Sequence, residues 1–344
     1  MHMADALISP AVGGVMWVAT VGLIAFSAKK VSEEADDRKV PLMGVLGAFI
    51  FASQMINFTI PATGSSGHLG GGMILAIFLG PYAAFLVMAS VLIVQALFFA
   101  DGGLLALGCN IFNLGFFPCF LVYPFIFRKI VGKELTKDKL VFASLIAAIV
   151  SLQLGAFSVV LETVASGISE LPFRTFVLLM QPIHLAIGIV EGIVTAAVAA
   201  FVWKARPEIL NSAASGVAIG KADTRKVLLG LLVVAALTGG ALSWFASSNP
   251  DGLEWAMFKT SGKEELESRA SVHASLAGVQ EKTAFLPDYG FKKSQPQIEE
   301  EADVEAKPAW PAVDPGTSVA GLVGGALVLL VAVLIGMALK RRKN

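Results

Sequence analysis

Charged residues are scarce in this chain, and their signs balance. Of 344 residues, 15% are Asp, Glu, Lys or Arg, and the formal net charge is zero. Soluble domains carry about 25% charged residues, because a water-facing surface has to be solvated. The composition therefore argues against a soluble domain. Without an excess of basic residues, it also gives no electrostatic reason to expect a nucleic-acid partner.

Cysteine is nearly absent. Cys109 and Cys119 lie ten residues apart in an apolar run and lack the CxxC spacing of a redox or metal pair. We interpret both as small packing residues rather than as a disulfide or a metal site.

Several catalytic motifs are also missing. The sequence contains no GxxxxGK[ST] loop, so it has no ATP-binding cradle of its own, and it contains no HExxH, GxSxG or intramembrane aspartate pair. We therefore predict that the chain is not an enzyme. Any uphill transport would draw its energy from another subunit or from ion coupling.

Apolar residues are abundant and come in blocks. They make up 56% of the chain, the mean hydropathy is +0.74, and many blocks reach the roughly 18 residues that cross a bilayer. The blocks predict an all-α polytopic membrane protein, with seven helices in a substrate-binding bundle and two more at the C-terminus. The third span is short and ends at Gly80-Pro81, so we expect it to be re-entrant or tilted. The nine spans are 9–28, 41–59, 70–80, 82–100, 104–127, 139–162, 175–203, 226–247 and 317–339.

Lysine and arginine positions predict the orientation. Basic residues cluster in 29–39, 128–139, 204–226 and 340–343, whereas the short segments on the other side, 60–69, 101–103 and 163–174, carry Arg174 alone. Positive loops stay in the cytoplasm, so the N-terminus is expected outside and the C-terminus inside a plasma membrane. Met1–Pro10 has no Lys or Arg, so we expect no cleaved signal peptide.

The spacing of the spans suggests three parts. Residues 1–203 form a metal-binding membrane domain, 204–225 a cytoplasmic linker, and 226–344 a unit of two spans joined by an external segment, 248–316. We call residues 226–344 the C-terminal unit. Its external segment is rich in Pro, Glu, Lys and Ser, and we expect much of it to be disordered, with Glu299–Glu301 as a solvated acidic run.

Four histidines occur, and the predicted topology places His2 and His68 on one side of the membrane. At position 2, a histidine allows a metal to take three nitrogens from one dipeptide: the Met1 amine, the His2 amide nitrogen and the His2 Nδ1. A nitrogen of His68 would complete a square-planar set, which suits Ni(II) or Cu(II). The alternative, a solvated terminal histidine, stays open at this point.

His68 lies in a glycine-rich, uncharged stretch between two spans, NFTIPATGSSGHLGGG, which we call the histidine loop (57–72). Irregular backbone of this kind at membrane depth must line a cavity or pack against protein. Asn57, Thr63, Ser65 and Ser66 are candidates to hydrogen-bond a ligating imidazole and fix its tautomer. An ordinary flexible turn is the other interpretation.

The remaining polar residues of the spans have simpler interpretations. His184 lies two turns before Glu191, and a structural contact to a carboxylate or carbonyl is favoured over a metal role. Asn110, Asn113, Gln54 and Gln153 are expected to hydrogen-bond between helices. His273 falls in the external segment and is assigned no role.

Three motifs resemble a known family. The Met1-His2 start, the histidine loop and the run ALGCNIFNLG (106–115) resemble the CbiM/NikM family, the substrate-binding components of energy-coupling-factor transporters for cobalt and nickel. Residues 248–255, SNPDGLEW, resemble the PDGLE sequence of the small CbiN/NikN-type partner. The chain departs from the MHIPDG start common in the family, since Met3-Ala4-Asp5-Ala6 follows His2.

The resemblance implies a nickel or cobalt importer with no catalytic cofactor, whose metal ligands are Met1, His2 and His68. It implies that the partners are a transmembrane coupling subunit and cytoplasmic ATPase subunits, in contact with membrane lipids. Square-planar donors favour nickel, and cobalt uptake for cobalamin biosynthesis is the alternative. A membrane metal sensor or scaffold, and an intramembrane metalloenzyme, are further alternatives.

Overall fold

The structure is a computed structural model that describes residues 2–34, 38–132, 135–168, 171–215, 223–263, 266, 270–292 and 310–341. The acidic run predicted at Glu299–Glu301 lies outside these residues, as does Met1. Twelve helices of more than four residues and one two-stranded hairpin make up the described regular structure, apart from short 3₁₀ turns. The helices are α1 Pro10–Glu34, α2 Lys39–Gln54, α3 Gly72–Leu79, α4 Pro81–Phe99, α5 Leu107–Val131, α6 Lys137–Ser166, α7 Phe173–Ala205, α8 Pro207–Ser215, α9 Arg225–Gly240, α10 Gly252–Ser261, α11 Ser271–Thr283 and α12 Pro315–Arg341.

Six of the described helices are long and apolar enough to cross a membrane: α1, α4, α5, α6, α7 and α12. Helices α2 and α9 have 16 residues each, and α3 has eight. Eight helical residues extend only about 12 Å, well short of a hydrocarbon core of about 30 Å. Helix α3 is therefore too short to cross the membrane alone. The sequence predicted such a short, re-entrant or tilted segment here.

Local sequence signals account for the helix boundaries. Thr136 accepts a hydrogen bond from the Lys139 backbone at the start of α6, and Gly167 ends that helix with a φ of 63°. Pro81 opens α4 at a position where no backbone N–H is needed. Asp251 and Glu254 form a complete capping box at the start of α10.

Small residues let the helices approach closely. On α7, an added Cβ at Gly188 or Gly192 would lie 3.0 Å or less from atoms of α6, and Gly44 on α2 meets Val333 of α12 in the same way. In lipid the hydrophobic effect does not drive helices together, so close van der Waals packing of this kind stabilises their association instead. The contact at Gly44 joins α12 of the C-terminal unit to α2.

The outer surface of the bundle is apolar. Large side chains on several long helices are exposed, among them Val18 (76%), Leu178 (64%) and Leu229 (62%). An apolar belt of this kind is what lipid contact requires.

The prediction of a mostly disordered external segment was wrong for its described residues. Helices α10 and α11 form there and bury Leu253, Ala256, Met257 and His273. No clear pattern in the sequence indicates these helices, because they are short and bury only a few residues each. Their stability comes from docking on the end of the bundle rather than from an amphipathic repeat.

Candidate metal site

The histidine loop forms an antiparallel hairpin next to the C-terminal unit. Strand β1 (Phe58–Ile60) pairs with β2 (Ser65–Gly67), with Phe58 opposite Gly67. The Ser66 N–H donates to the Pro250 carbonyl at 2.8 Å, and the Trp255 indole donates to the Thr63 carbonyl at 3.0 Å. The hairpin is thus ordered by contacts from the PDGLE-like segment and is not a flexible turn.

Beyond the hairpin, the chain is held by a buried carboxylate. The N–H groups of Gly70 and Gly71 donate to the two oxygens of Glu191 at 2.7 and 3.0 Å, and Gln54 donates to the Gly70 carbonyl. Gly71 has a φ of 79°, in the left-handed region that favours glycine, and caps α3. A carboxylate at this helix start satisfies otherwise unpaired N–H groups and fixes the backbone two residues after His68.

We expect Glu191→Leu to destabilise the protein, because it leaves two buried N–H groups without an acceptor. Each such group costs about 1–3 kcal/mol. Thermal unfolding in detergent should show a clear fall in Tm and a smaller fall for Glu191→Gln, which keeps one acceptor oxygen. Glu208→Gln, at an exposed position of α8, is the matched control. Equal Tm values for Glu191→Leu and the control would contradict this role.

The N-terminal residues are held just as tightly. Asn110 accepts from the Met3 N–H at 2.8 Å and donates to the Met3 carbonyl at 3.2 Å, and that carbonyl also accepts from Gly103. Asp5 accepts from the Ala106 N–H at 2.9 Å. Met3 is fully buried despite the departure from the common family start. These hydrogen bonds direct the His2 side chain inward at one end of the helix bundle.

His2 and His68 lie together. Their imidazole rings are nearly parallel, 5° apart, with centroids separated by 5.0 Å. Metal–imidazole bonds are about 2.0–2.1 Å long, so two rings on one ion have centroids roughly 4–6 Å apart. The separation therefore suits one shared ion, although a ring must turn to bind it, because imidazole lone pairs lie in the ring planes and two stacked planes do not meet.

The surroundings of His68 favour its neutral imidazole. Its Nδ1 lies 3.0 Å from the Leu69 carbonyl, which selects the tautomer with hydrogen on Nδ1 and leaves a lone pair on Nε2. Burial of the side chain lowers the pKa of His68 to about 3, so the imidazole stays uncharged at physiological pH. Neutral imidazole is the form that binds metals.

A carboxylate and a phenol adjoin His2. The Asp101 Oδ1 lies 3.1 Å from the His2 Nδ1, and the Tyr289 hydroxyl donates to Asp101 Oδ2 at 2.5 Å. Burial alone would raise the pKa of Asp101, but His2 and the Tyr289 hydrogen bond hold it well below its usual range. Asp101 is therefore an anion beside the imidazole.

A cavity of about 600 Å³ opens over these groups. Its lining includes His2, His68, Asp101, Asp251 and Tyr289. Among the described residues, no group of three or more His, Cys, Asp or Glu side chains is arranged to hold a metal ion. A metal bound here would need main-chain or terminal nitrogens as well as the two imidazoles.

The four candidate supporting residues have other partners in the structure. The hydroxyls of Thr63 and Ser65 contact each other at 2.8 Å, and the Ser66 hydroxyl donates to the Asn249 carbonyl. Asn57 lines the cavity, and its carbonyl accepts from the Ser247 N–H. These contacts order the loop, and a direct bond from any of the four to a ligating imidazole stays a prediction.

Of the other two histidines, His184 agrees with the sequence-based expectation and His273 does not. His184 Nδ1 lies 2.8 Å from the Met180 carbonyl, the structural contact that was favoured for it. His273 was given no role in a disordered segment, but it is 3% exposed and its Nε2 lies 2.9 Å from the Ile8 carbonyl. It fastens α11 to the N-terminal residues.

Asp101 and Tyr289 were missed by the sequence analysis. Asp101 had one visible signal, since it is the only acidic residue in the short polar break 101–103 between two apolar spans. Tyr289 had none, because its ring reaches the site only through the fold of the C-terminal unit.

Known proteins resemble the chain over its whole length. Residues 2–209 match the family described as the cobalt uptake substrate-specific transmembrane region, CbiM, and residues 225–341 match the PDGLE domain. A protein of Archaeoglobus fulgidus whose name describes a fused nickel transport protein, NikMN, is 30% identical over 99% of this chain and 98% of its own. One of Haloquadratum walsbyi, named for metal transport, is 35% identical over 61% of this chain and 93% of its own.

A solved structure is similar as well. The crystal structure of a truncated transition metal transporter is 32% identical, with a TM-score of 0.53, and covers 60% of this chain and 99% of its own. The predicted resemblance is therefore confirmed: the chain is a multi-pass membrane protein that belongs to the CbiM family of metal transport proteins, with a PDGLE domain fused at its C-terminus.

Proposed function

We propose that the chain is the metal-binding membrane subunit of an energy-coupling-factor importer for nickel or cobalt. The metal is the substrate and binds to the Met1 amine, the His2 amide nitrogen and Nδ1, and a nitrogen of His68. The parallel packing of His2 against His68, at 5.0 Å, is the observation that carries the proposal. Asn110 and Glu191 support it by anchoring the backbone on either side of the pair.

The proposed donor set is planar, and this favours Ni(II) over Co(II). Displacing an amide proton requires a strongly polarising metal, and tetragonal nitrogen sites suit Ni(II) or Cu(II). The family description names cobalt, whereas the fused relative is named for nickel. Metal analysis of the purified full chain after growth in equal nickel and cobalt decides between them. Nickel in clear excess is expected, and cobalt in excess would reverse the choice.

We propose seven spans in the substrate-binding domain, 1–203, and two in the C-terminal unit, 226–344, with 204–225 as a cytoplasmic linker. The short helix α3 and the hairpin together fill the place of the third span. The N-terminus lies outside and the C-terminus lies in the cytoplasm. The chain has no ATP-binding motif, so a transmembrane coupling subunit and cytoplasmic ATPase subunits provide the energy.

We expect metal retention to fall steeply below about pH 6. The terminal amine has a reference pKa of about 7.7–8.0, and both the amine and the displaced amide must give up protons to bind. Falling pH protonates the amine and shifts the equilibrium toward release. Equilibrium dialysis of the full chain against nickel from pH 8 to 5 measures this. A flat profile over that range would indicate carboxylate ligands instead.

A membrane metal sensor or scaffold without transport is the second candidate. The buried two-histidine site is compatible with it, and the family membership favours transport. Co-purification with an ATPase pair, followed by metal uptake into vesicles that depends on ATP, separates the two functions.

A further inference from the structure

A hydrogen-bonded chain joins the C-terminal unit to the metal site. Tyr289 donates to one carboxylate oxygen of Asp101, and the other oxygen lies 3.1 Å from the His2 imidazole. Tyr289 belongs to the C-terminal unit, Asp101 to the turn after α4, and His2 to the N-terminal residues. Three distant parts of the sequence thus converge on one imidazole.

The surrounding contacts hold Tyr289 in place. Its ring is stacked on Phe99, with centroids 5.2 Å apart, and lies against Phe51. Asp288 and Tyr289 both have positive φ values, 50° and 57°. Residues other than glycine adopt such values at a cost, and keep them only where the surroundings enforce them.

The C-terminal unit also contacts the turn that carries Asp101 and the end of the helix before it. Gln280 of α11 donates to the carbonyls of Ala96 and Gly102 at 2.8 and 2.7 Å. The Leu286 N–H donates to the Phe98 carbonyl at 3.3 Å. The C-terminal unit therefore positions the whole turn and not the carboxylate alone.

A carboxylate beside a metal-binding histidine has a known physical effect. By accepting the N–H of the nitrogen that does not bind the metal, it fixes the ring orientation and raises ligand basicity. The proposed chelate uses Nδ1 of His2, which in the structure faces Asp101. A half-turn of the ring about the Cβ–Cγ bond sends Nδ1 to the opposite side and brings Nε2 to the side of Asp101. That nitrogen has no hydrogen-bond partner among the described residues.

We infer that Asp101 and Tyr289 are positioning residues of the metal site, through which the C-terminal unit sets the orientation of the His2 imidazole. Asp101 accepts from the ring, and Tyr289 fixes the rotation of the carboxylate. Neither binds the metal. The inference rests on the proposed function of His2 as a ligand, and it gives the PDGLE domain a direct part in metal retention.

The test uses the full chain with Tyr289→Phe and Asp101→Asn, each loaded with Ni(II) alone. Loss of an outer-shell partner typically weakens metal binding about 10–100-fold, and we expect an effect of this size from each variant. The rate of nickel release should rise, and the visible absorption of bound Ni(II) should shift as the His2 ring loses its fixed orientation. A purely structural role would lower stability without shifting this absorption.

Tyr123→Phe is the matched control. It also removes a buried hydroxyl, one that has no hydrogen-bond partner among the described residues, and it lies on α5 beside the separate cavity that Arg128 and Leu210 line. We expect wild-type affinity and absorption from it. If Tyr289→Phe does not fold, Asp101→Asn, which keeps the side-chain shape, decides the question.

Two outcomes separate this inference from the proposed function. Wild-type nickel affinity and absorption in both variants, with loss of nickel in His2→Ala, would overturn the positioning role and leave the proposed ligands intact. Undiminished nickel binding in His2→Ala would overturn the proposed function itself, and the inference with it.

Discussion

Adding two residues ahead of Met1 is expected to abolish nickel retention while the bundle still folds. The proposed chelate closes a five-membered ring from the terminal amine to the His2 amide and a six-membered ring from that amide to Nδ1. Two extra residues convert the Met1 amine into an amide and move the free amine out of the chelate, whereas a single extra residue would offer an amine, two amides and the His2 Nδ1 as a new planar set. The fall in affinity should exceed the roughly 10–100-fold change that loss of an outer-shell partner causes.

Two residues added after Asn344 are the matched control, because they extend the chain equally and leave the N-terminus unchanged. Nickel bound per chain after dialysis is the measurement, with size-exclusion chromatography to show that both forms are folded. Met3 is packed tightly against Asn110, so a longer N-terminus has little room to slide inward and restore the chelate. Full nickel retention with the two added N-terminal residues would refute the terminal amine as a ligand.

Replacing His68 with Ala is expected to have the second largest effect. It removes the only proposed ligand that the N-terminal dipeptide does not supply, and the affinity for Ni(II) should fall by more than about 100-fold, beyond what outer-shell changes cause. The change removes a side chain from the edge of the cavity, so the helices should remain packed. Nickel titration of the full chain, followed by visible absorption, measures the loss.

His184→Ala is a demanding control for this prediction. His184 and His68 line the same small cavity, together with Gly252, and both are buried. The Nδ1 of His184 lies 2.8 Å from a carbonyl of its own helix, the contact we expect to be structural. We expect His184→Ala to lower the Tm and to keep nickel affinity near that of the wild type. Equal losses of nickel from the two variants would show that proximity to the cavity, and not ligation by His68, determines retention.

The membrane character of the chain could be predicted because it rests on strong, local signals. Apolar blocks of bilayer length identify the long helices, and Gly80-Pro81 identified α3 as short. Lysine and arginine counts predicted that His2 and His68 lie on one side of the membrane, and that orientation stays a prediction. The structure brings the two rings into contact.

The parts that could not be predicted depend on tertiary contacts. Helices α10 and α11 bury few residues each, so their sequences look like those of a linker. His273 becomes buried only because α11 docks over Ile8. Tyr289 reaches Asp101 through a backbone turn with two positive φ values at residues other than glycine, and no sequence pattern signals such a turn.

X-ray absorption of the full chain loaded with Ni(II) tests the central claim most directly. The proposed site predicts four nitrogen donors in a plane, with the pre-edge feature of square-planar Ni(II). Replacing His2 with Ala should remove that signature, and Tyr123→Phe should leave it unchanged. A six-coordinate shell that includes oxygen donors, unaltered in the His2 variant, would contradict the account of how this chain holds its metal.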